Sequence, residues 1–266
     1  MSHASSYPTA SSAGEDASAQ QEAEAPRLEL AHMTRRFGGL PAVEDLSFRV
    51  RQGEVLGMIG PNGAGKSTVI SLIGGALAPS EGTVRFQGQD ITRLSPHKRA
   101  RLGIARTFQV TQPFAQLDIR DNVVVGALFS GHARNRKEAV EQADAVLARV
   151  GLVGKAHLKG DELTVADRKR LEMARALSCA PRALLLDEVI AGVNPVEAQE
   201  MVALIRRIRD ERGVSILMTE HVMAAVMSLC EHVVVLEAGK LIASGPPQEV
   251  VKNPAVIEAY LGKAHA

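Results

Sequence analysis

Hydrophobic and polar positions alternate where the folded pattern begins. Leu28 and Leu30 are separated by polar neighbours, and Leu46, Phe48 and Val50 interleave with Ser47, Arg49 and Arg51 before a turn at Gln52-Gly53. A period of two marks a half-buried strand, so this opening reads as antiparallel β-structure. Residues 54–59 are mostly apolar and run directly into Gly60-Pro61-Asn62-Gly63-Ala64-Gly65-Lys66-Ser67-Thr68, after which 69–77 reads as helix. Strand patterns stop between about 110 and 161. Two helices are expected there, one from Asp118 and one over 136–150, the latter with Val140, Ala143, Leu147 and Val150 on one face and Gly151 as its stop. Helix and strand then alternate: helix 164–179, strand 183–186, helix 195–212, strand 214–219, helix 221–230. Such alternation predicts a parallel sheet covered by helices. A hairpin of 233–236 with 241–243 around Ala238-Gly239 precedes short helices ending near Leu261, and no internal repeat is visible.

Composition narrows the class. A chain of 266 residues with 45% hydrophobic content can bury a large core, as one domain with two lobes or as two small domains. Lys and Arg total 31 against 30 acidic residues, so no global basic field draws the chain to nucleic acid or anionic lipid. Cys179 and Cys230 stand in apolar, helix-like surroundings without CxxC or Cys/His spacing, which predicts reduced, buried thiols and a reducing compartment. The best candidate for a membrane span, 214–236, is broken by Glu220, His221, Glu231 and His232. Residues 1–26 are rich in Ser and Ala, carry Glu15, Asp16, Glu22 and Glu24, and lack Lys and Arg. They fit neither a secretory signal nor a transit peptide and read as a disordered tail.

The chemistry is concentrated in two motifs. Residues 60–67 satisfy G-x-x-x-x-G-K-[ST], with a further glycine at Gly63. Consecutive backbone N–H groups can then wrap a phosphate without side-chain obstruction, and the following helix adds the positive end of its dipole. Lys66 would reach the β and γ phosphates, Ser67 would ligate Mg²⁺ and Thr68 would bond the α phosphate. Mg²⁺ also needs a hard oxygen delivered from a sheet edge, and Ala183-Leu184-Leu185-Leu186-Asp187-Glu188 is an apolar strand ending in carboxylates. Asp187 would hold the metal while Glu188 orients and deprotonates the attacking water.

In this order the motifs resemble the ABC ATPase family, from about Leu28 to the C-terminus. The resemblance implies an α/β fold: a P-loop ABC ATPase with a mixed RecA-like catalytic lobe, an antiparallel β subdomain and an inserted α-helical lobe over about 110–180, all within a domain of 27–266. It also assigns roles. Thr107-Phe108-Gln109 looks like the Q-loop, whose Gln109 senses Mg²⁺ and the γ phosphate and links the two lobes. Thr219-Glu220-His221 looks like the switch segment, with His221 contacting the γ phosphate and the attacking water. Phe37, in Arg35-Arg36-Phe37-Gly38-Gly39, occupies the place of the adenine-stacking aromatic, a core-packing Phe being the alternative.

One segment departs from the family. The signature Leu-Ser-Gly-Gly-Gln reads Leu163-Thr164-Val165-Ala166-Asp167, so Thr164 keeps a hydroxyl and Ala166 stands where a glycine would approach the phosphate of a partner's ATP. Without the family, Thr164-x-x-Asp167 is a capping box that starts a helix, and both readings can hold together. Asp167 adds a negative charge that Arg168, Lys169 or Arg170 is expected to neutralise. Asn194 stands at the D-loop where Asp is commoner. These variants, with Gly38-Gly39-Leu40, Ala105-Arg106-Thr107-Phe108-Gln109 and Gly245-Pro246-Pro247 to Ala259-Tyr260-Leu261-Gly262, resemble the branched-chain amino acid importer ATPases.

That resemblance implies an ATP- and Mg²⁺-dependent subunit on the cytoplasmic face of the inner membrane. Its partners would be permease subunits, a second ATPase subunit and, indirectly, a periplasmic solute-binding protein, with no nucleic acid. Two other classes are possible from the sequence. A nucleic-acid mechanoenzyme would need long coiled-coil arms, but only about fifty residues separate Gln109 from Leu163. A low-activity nucleotide-binding subunit would fit the altered signature, although Lys66, Asp187, Glu188 and His221 argue for hydrolysis.

Overall fold

The computed structural model describes residues 26–108, 113–130 and 133–261, so Gln109 and the expected tail, apart from Pro26, lie outside the described residues. Strands β1 (Pro26–Phe37) and β2 (Leu40–Arg51) form an antiparallel hairpin. The chain continues through β3 (Val55–Ile59), the glycine loop and helix α1 (Lys66–Gly74). It returns as β4 (Glu81–Phe86) and β5 (Gln89–Asp90), completing a four-stranded sheet in the order β2-β1-β4-β5. Leu28 pairs with Val50, Leu30 with Phe48 and Met33 with Leu46, so the alternating apolar positions of β1 and β2 share one buried face.

Helix α2 (Pro96–Leu102) leads into β6 (Ile104–Arg106). Neither was expected, because α2 carries no apolar stripe; the residue it buries is Arg99, 1% exposed. The Arg99 guanidinium donates to Leu72 O at 2.7 Å and Ile73 O at 2.6 Å, satisfying carbonyls at the C-terminal end of α1, and to Leu94 O and Thr92 O at 2.9 Å each.

Helices α3 (Ile119–Phe129), α4 (Arg136–Val150) and α5 (Val165–Leu177) pack on one another as a helical lobe. Their starts follow local chemistry: Asp118 accepts from Asp121 N at 2.7 Å, and Asn135 from Glu138 N at 2.9 Å. Gly151, at φ 78, ends α4 as expected. Strands β7 (Ala183–Asp187), β8 (Ser215–Thr219), β9 (His232–Glu237) and β10 (Lys240–Gly245) alternate with α6 (Pro195–Arg212) and α7 (Met223–Leu229). Two short helices follow, α8 (Pro247–Val250) and α9 (Pro254–Leu261). The large sheet runs β10-β9-β3-β8-β7-β6, parallel except where β10 meets β9.

Both faces of that sheet are covered. Leu184, Leu186, Ile216, Met218, Val233 and Val235 join the core shared with α3 to α7. Their alternates Leu185, Leu217, Val234 and Leu236 join a second core with α1 and the antiparallel sheet. Continuous apolar runs are what period-two side chains require when neither face meets water. The expected helix over 221–230 shortens to Met223–Leu229, since Val222 keeps an extended backbone.

Candidate active site

The glycine loop is squeezed between neighbours. A Cβ on Gly60 (φ 151) would lie 2.1 Å from Leu236 O, and one on Gly65 (φ 100) would lie 2.5 Å from Ala42 O. Only glycine fits both the space and the backbone there. Lys66 opens α1 almost fully buried, its Nζ donating to Gly60 O at 2.6 Å and Pro61 O at 3.0 Å. Two of the three ammonium N–H groups thus brace the loop, and one is left for a phosphate. Burial lowers the Lys66 pKa, opposed by the charges of Glu188 and Asp187, so both carboxylates lie within electrostatic reach. Residues 62–68, Ala42 and Glu188 line a cavity of about 430 Å³.

Asp187 ends β7 in a buried position, its Oδ1 accepting from Thr219 Oγ1 at 2.7 Å and its Oδ2 lying 3.6 Å from Arg106 Nη2. Glu188 then turns out of the strand at φ 51, a left-handed conformation that costs a non-glycine residue about 1–2 kcal/mol. Glu188 N donates to Thr219 O at 3.0 Å, and Lys169 Nζ donates to Glu188 O at 2.6 Å. The turn leaves Glu188 in the wall of the loop cavity. No group of three or more His, Cys, Asp or Glu suited to a metal occurs among the described residues. A hydroxyl at Ser67 and a carboxylate at Asp187 are hard oxygen donors that suit Mg²⁺, which takes one or two protein oxygens together with phosphate and water.

Other expected residues are placed differently. His221 is exposed beyond the end of β8 and does not line the cavity. Phe37 is 46% exposed at the tip of the β1-β2 hairpin, with the Arg35 guanidinium 4.6 Å from its ring centroid, so it is not a core residue. Thr164 and Ala166 lie at the start of α5 and do not line the loop cavity of their own chain. Asp167 N donates to Thr164 Oγ1 at 3.2 Å, while the Thr164 hydroxyl donates to Asp167 Oδ2 at 2.9 Å. The helix start is real, but the carboxylate bonds the hydroxyl where a full capping box would bond the Thr164 N–H.

Of the cations expected to neutralise Asp167, Arg170 does so, joined by the unexpected Lys155. Lys155 pairs directly with its carboxylate and Arg170 lies at 4.0 Å, whereas Arg168 donates to Asp161 O and Lys169 turns to Glu188. Burial pushes the Asp167 pKa up, but Lys155, Thr164 and Arg170 outweigh it and hold the carboxyl below its ordinary value. Sequence reasoning missed Lys155, Thr219 and Arg106 as partners. Thr219 and Arg106 stood in motifs the sequence offers, Thr219-Glu220-His221 and Ala105-Arg106-Thr107-Phe108-Gln109, whereas Lys155 carried no signal.

A second, more apolar cavity of about 450 Å³ separates the lobes, lined by Phe108, Phe114, Arg106 and Cys179 among others. It contains no residue of the glycine loop.

Comparison with known proteins agrees with this geometry. The family model for ABC transporters matches residues 43–191, and that for branched-chain amino acid ATP-binding cassette transporters matches residues 240–266. The high-affinity branched-chain amino acid transport ATP-binding protein BraF of Pseudomonas aeruginosa is 40% identical over 252 residues, covering 90% of this chain and 99% of its own length. LivG of Salmonella typhimurium, of the same description, is 37% identical with the same coverage. The lipopolysaccharide export system ATP-binding protein LptB of Acidithiobacillus ferridurans is 38% identical over 83% of this chain and 90% of its own. Among solved structures, a nucleotide-free ATP-binding cassette from an ABC transporter superposes with a TM-score of 0.82 at 31% identity, covering 90% of this chain and 100% of that one.

Proposed function

The chain belongs to the ABC transporter ATP-binding family, and from that premise we propose that it powers an importer for branched-chain amino acids or similar small polar solutes. Its activity is ATP hydrolysis. The observation that carries the site assignment is the meeting of Glu188 with residues 62–68 in one cavity. Backbone N–H groups of the loop and the α1 N-terminus hold the phosphates, Lys66 places its remaining N–H on them, and Glu188 orients the attacking water. Ser67 and Asp187 would hold Mg²⁺, with Gln109 from outside the described residues. Bound there, Mg²⁺ neutralises charge on the phosphate oxygens.

The domain reading is likewise a proposal: one ATPase domain over 27–266, with α3 to α5 as the lobe that faces a second ATPase subunit. Because Thr164 and Ala166 stand away from their own chain's cavity, they serve the ATP of that second subunit. Phe37, exposed at the hairpin tip, stacks on adenine, and His221 swings to the γ phosphate when the dimer closes. The membrane partners are permease subunits, which hold the chain at the cytoplasmic face; no described helix is long and apolar enough to cross a membrane. The match over 240–266 favours the branched-chain subgroup over the lipopolysaccharide exporter relatives.

Glu188→Gln is expected to abolish turnover and to give an ATP-dependent dimer on size exclusion. Normal hydrolysis by that variant sinks the role of Glu188. For the solute, the chain copurified with its permeases is expected to show ATPase stimulation by a binding protein loaded with leucine, isoleucine or valine. Stimulation by urea or amides instead would reassign the cargo.

A further inference from the structure

The backbone that follows β7 is pinned from three sides. Glu188 N donates to Thr219 O at 3.0 Å, Ile190 N donates to Glu220 Oε1 at 2.7 Å, and Lys169 Nζ donates to Glu188 O at 2.6 Å. The first two tethers come from β8 and the residue after it, within the catalytic sheet. The third comes from α5, in the helical lobe, five positions along from Thr164. Lys169 is therefore the side chain that ties the start of the signature helix to the residue aimed into the loop cavity.

A further fact separates Lys169 from an ordinary helix lysine. Glu188 holds a left-handed backbone at φ 51, which persists only where surrounding contacts over-determine it. Burial lowers the Lys169 pKa, opposed by the charges of Glu220 and Glu188. Glu220 is 1% exposed, and its Oε2 has no hydrogen-bond partner among the described residues. Burial raises the Glu220 pKa, and the Lys169 charge opposes that rise while its ammonium holds a carbonyl.

We propose that Lys169 is a positioning residue for ATP hydrolysis: by holding the Glu188 carbonyl it fixes the left-handed turn that aims the Glu188 carboxylate at the loop cavity, and makes that aim depend on where α5 sits. The proposal rests on Glu188 acting on the attacking water. It differs from a purely structural role, in which Lys169 would serve only to balance Glu220.

The test compares full-length Lys169→Met, Lys169→Arg, Glu220→Gln and Lys169→Met/Glu220→Gln chains by steady-state ATPase kinetics, binding of a fluorescent ATP analogue and thermal unfolding. Lys169→Met is expected to lower kcat by about 10- to 100-fold, since an ångström of misplacement has effects of that size, with KM and analogue affinity within about twofold. Lys169→Arg, which can still donate to a carbonyl, is expected to recover most of kcat, and adding Glu220→Gln to Lys169→Met is expected not to. Should Lys169→Met fail to fold, Lys169→Gln, one bond too short to make the contact, is held to the same outcome. A wild-type kcat in Lys169→Met overturns the proposal, and so does recovery by Glu220→Gln, which would make Lys169 a charge balance only. Glu188→Gln run in parallel separates the two failures: normal turnover there refutes the underlying role of Glu188, whereas lost turnover there with normal turnover in Lys169→Met refutes Lys169 alone.

Discussion

The glycine loop and the start of α5 are both helix N-termini, and they are built in opposite ways. At the loop, Gly60 and Gly65 leave no side chain between the backbone and a ligand, and the cap of α1 is a glycine without a side-chain bond. At α5, Thr164 caps the helix, its hydroxyl is spent on Asp167, and Lys155 and Arg170 close round that carboxylate. The first leaves its N–H groups without a side-chain cap; at the second, Thr164 takes up the N–H of Asp167.

The largest effect is expected from filling the loop. Gly65→Ala places a Cβ 2.5 Å from Ala42 O on a backbone at φ 100, and is expected to weaken ATP-analogue binding by about 100-fold or more. Unchanged affinity in a fluorescence titration would show that the loop opens to make room. Next in size is the charge cluster on α5. Asp167→Asn removes the partner of Lys155 and is expected to cost about 1–3 kcal/mol at neutral pH by thermal or urea unfolding. Because the folded carboxyl titrates below its ordinary value, its stabilisation is present above the unfolded pKa and lost as pH falls through the folded one. The difference between wild type and Asp167→Asn should therefore close towards acid pH, and a constant gap would count against the ion pair.

Smaller effects sharpen the same contrast. Ala166→Gly restores one family glycine and is expected to cost at most about 1 kcal/mol, with hydrolysis by the assembled transporter within about twofold of wild type. A several-fold rise would identify the Ala166 methyl, and not the Asp167 network, as the limit on that half-site. The smallest response is expected at Cys230, packed under Gly57 with its thiol pKa pushed up to about 12, chiefly by burial. Iodoacetamide at pH 8 should label it only after unfolding, as read by mass spectrometry.

Much of the fold was legible because its signals are local. Apolar runs marked the strands buried on both faces, the helix over 195–212 fell at its observed bounds, and Gly151 marked the end of α4. Helix α2 was missed because it buries Arg99 where periodicity looks for an apolar stripe. At the site, the loop and the Asp187-Glu188 strand end could be read as motifs, since their spacing follows from phosphate and metal chemistry. The partners that hold them could not.

Sequence by itself determined that a strand, a glycine loop and a helix stand together, and that carboxylates leave a second buried strand at Asp187 and Glu188. Period, propensity and backbone freedom are properties of neighbours along the chain. Tertiary structure decided that Thr219 would hold Asp187, that Lys155 would neutralise Asp167, and that Lys169 would reach across from α5 to the Glu188 carbonyl. Each of these depends on distance through space, which charge and hydrogen bonding obey and sequence order does not record.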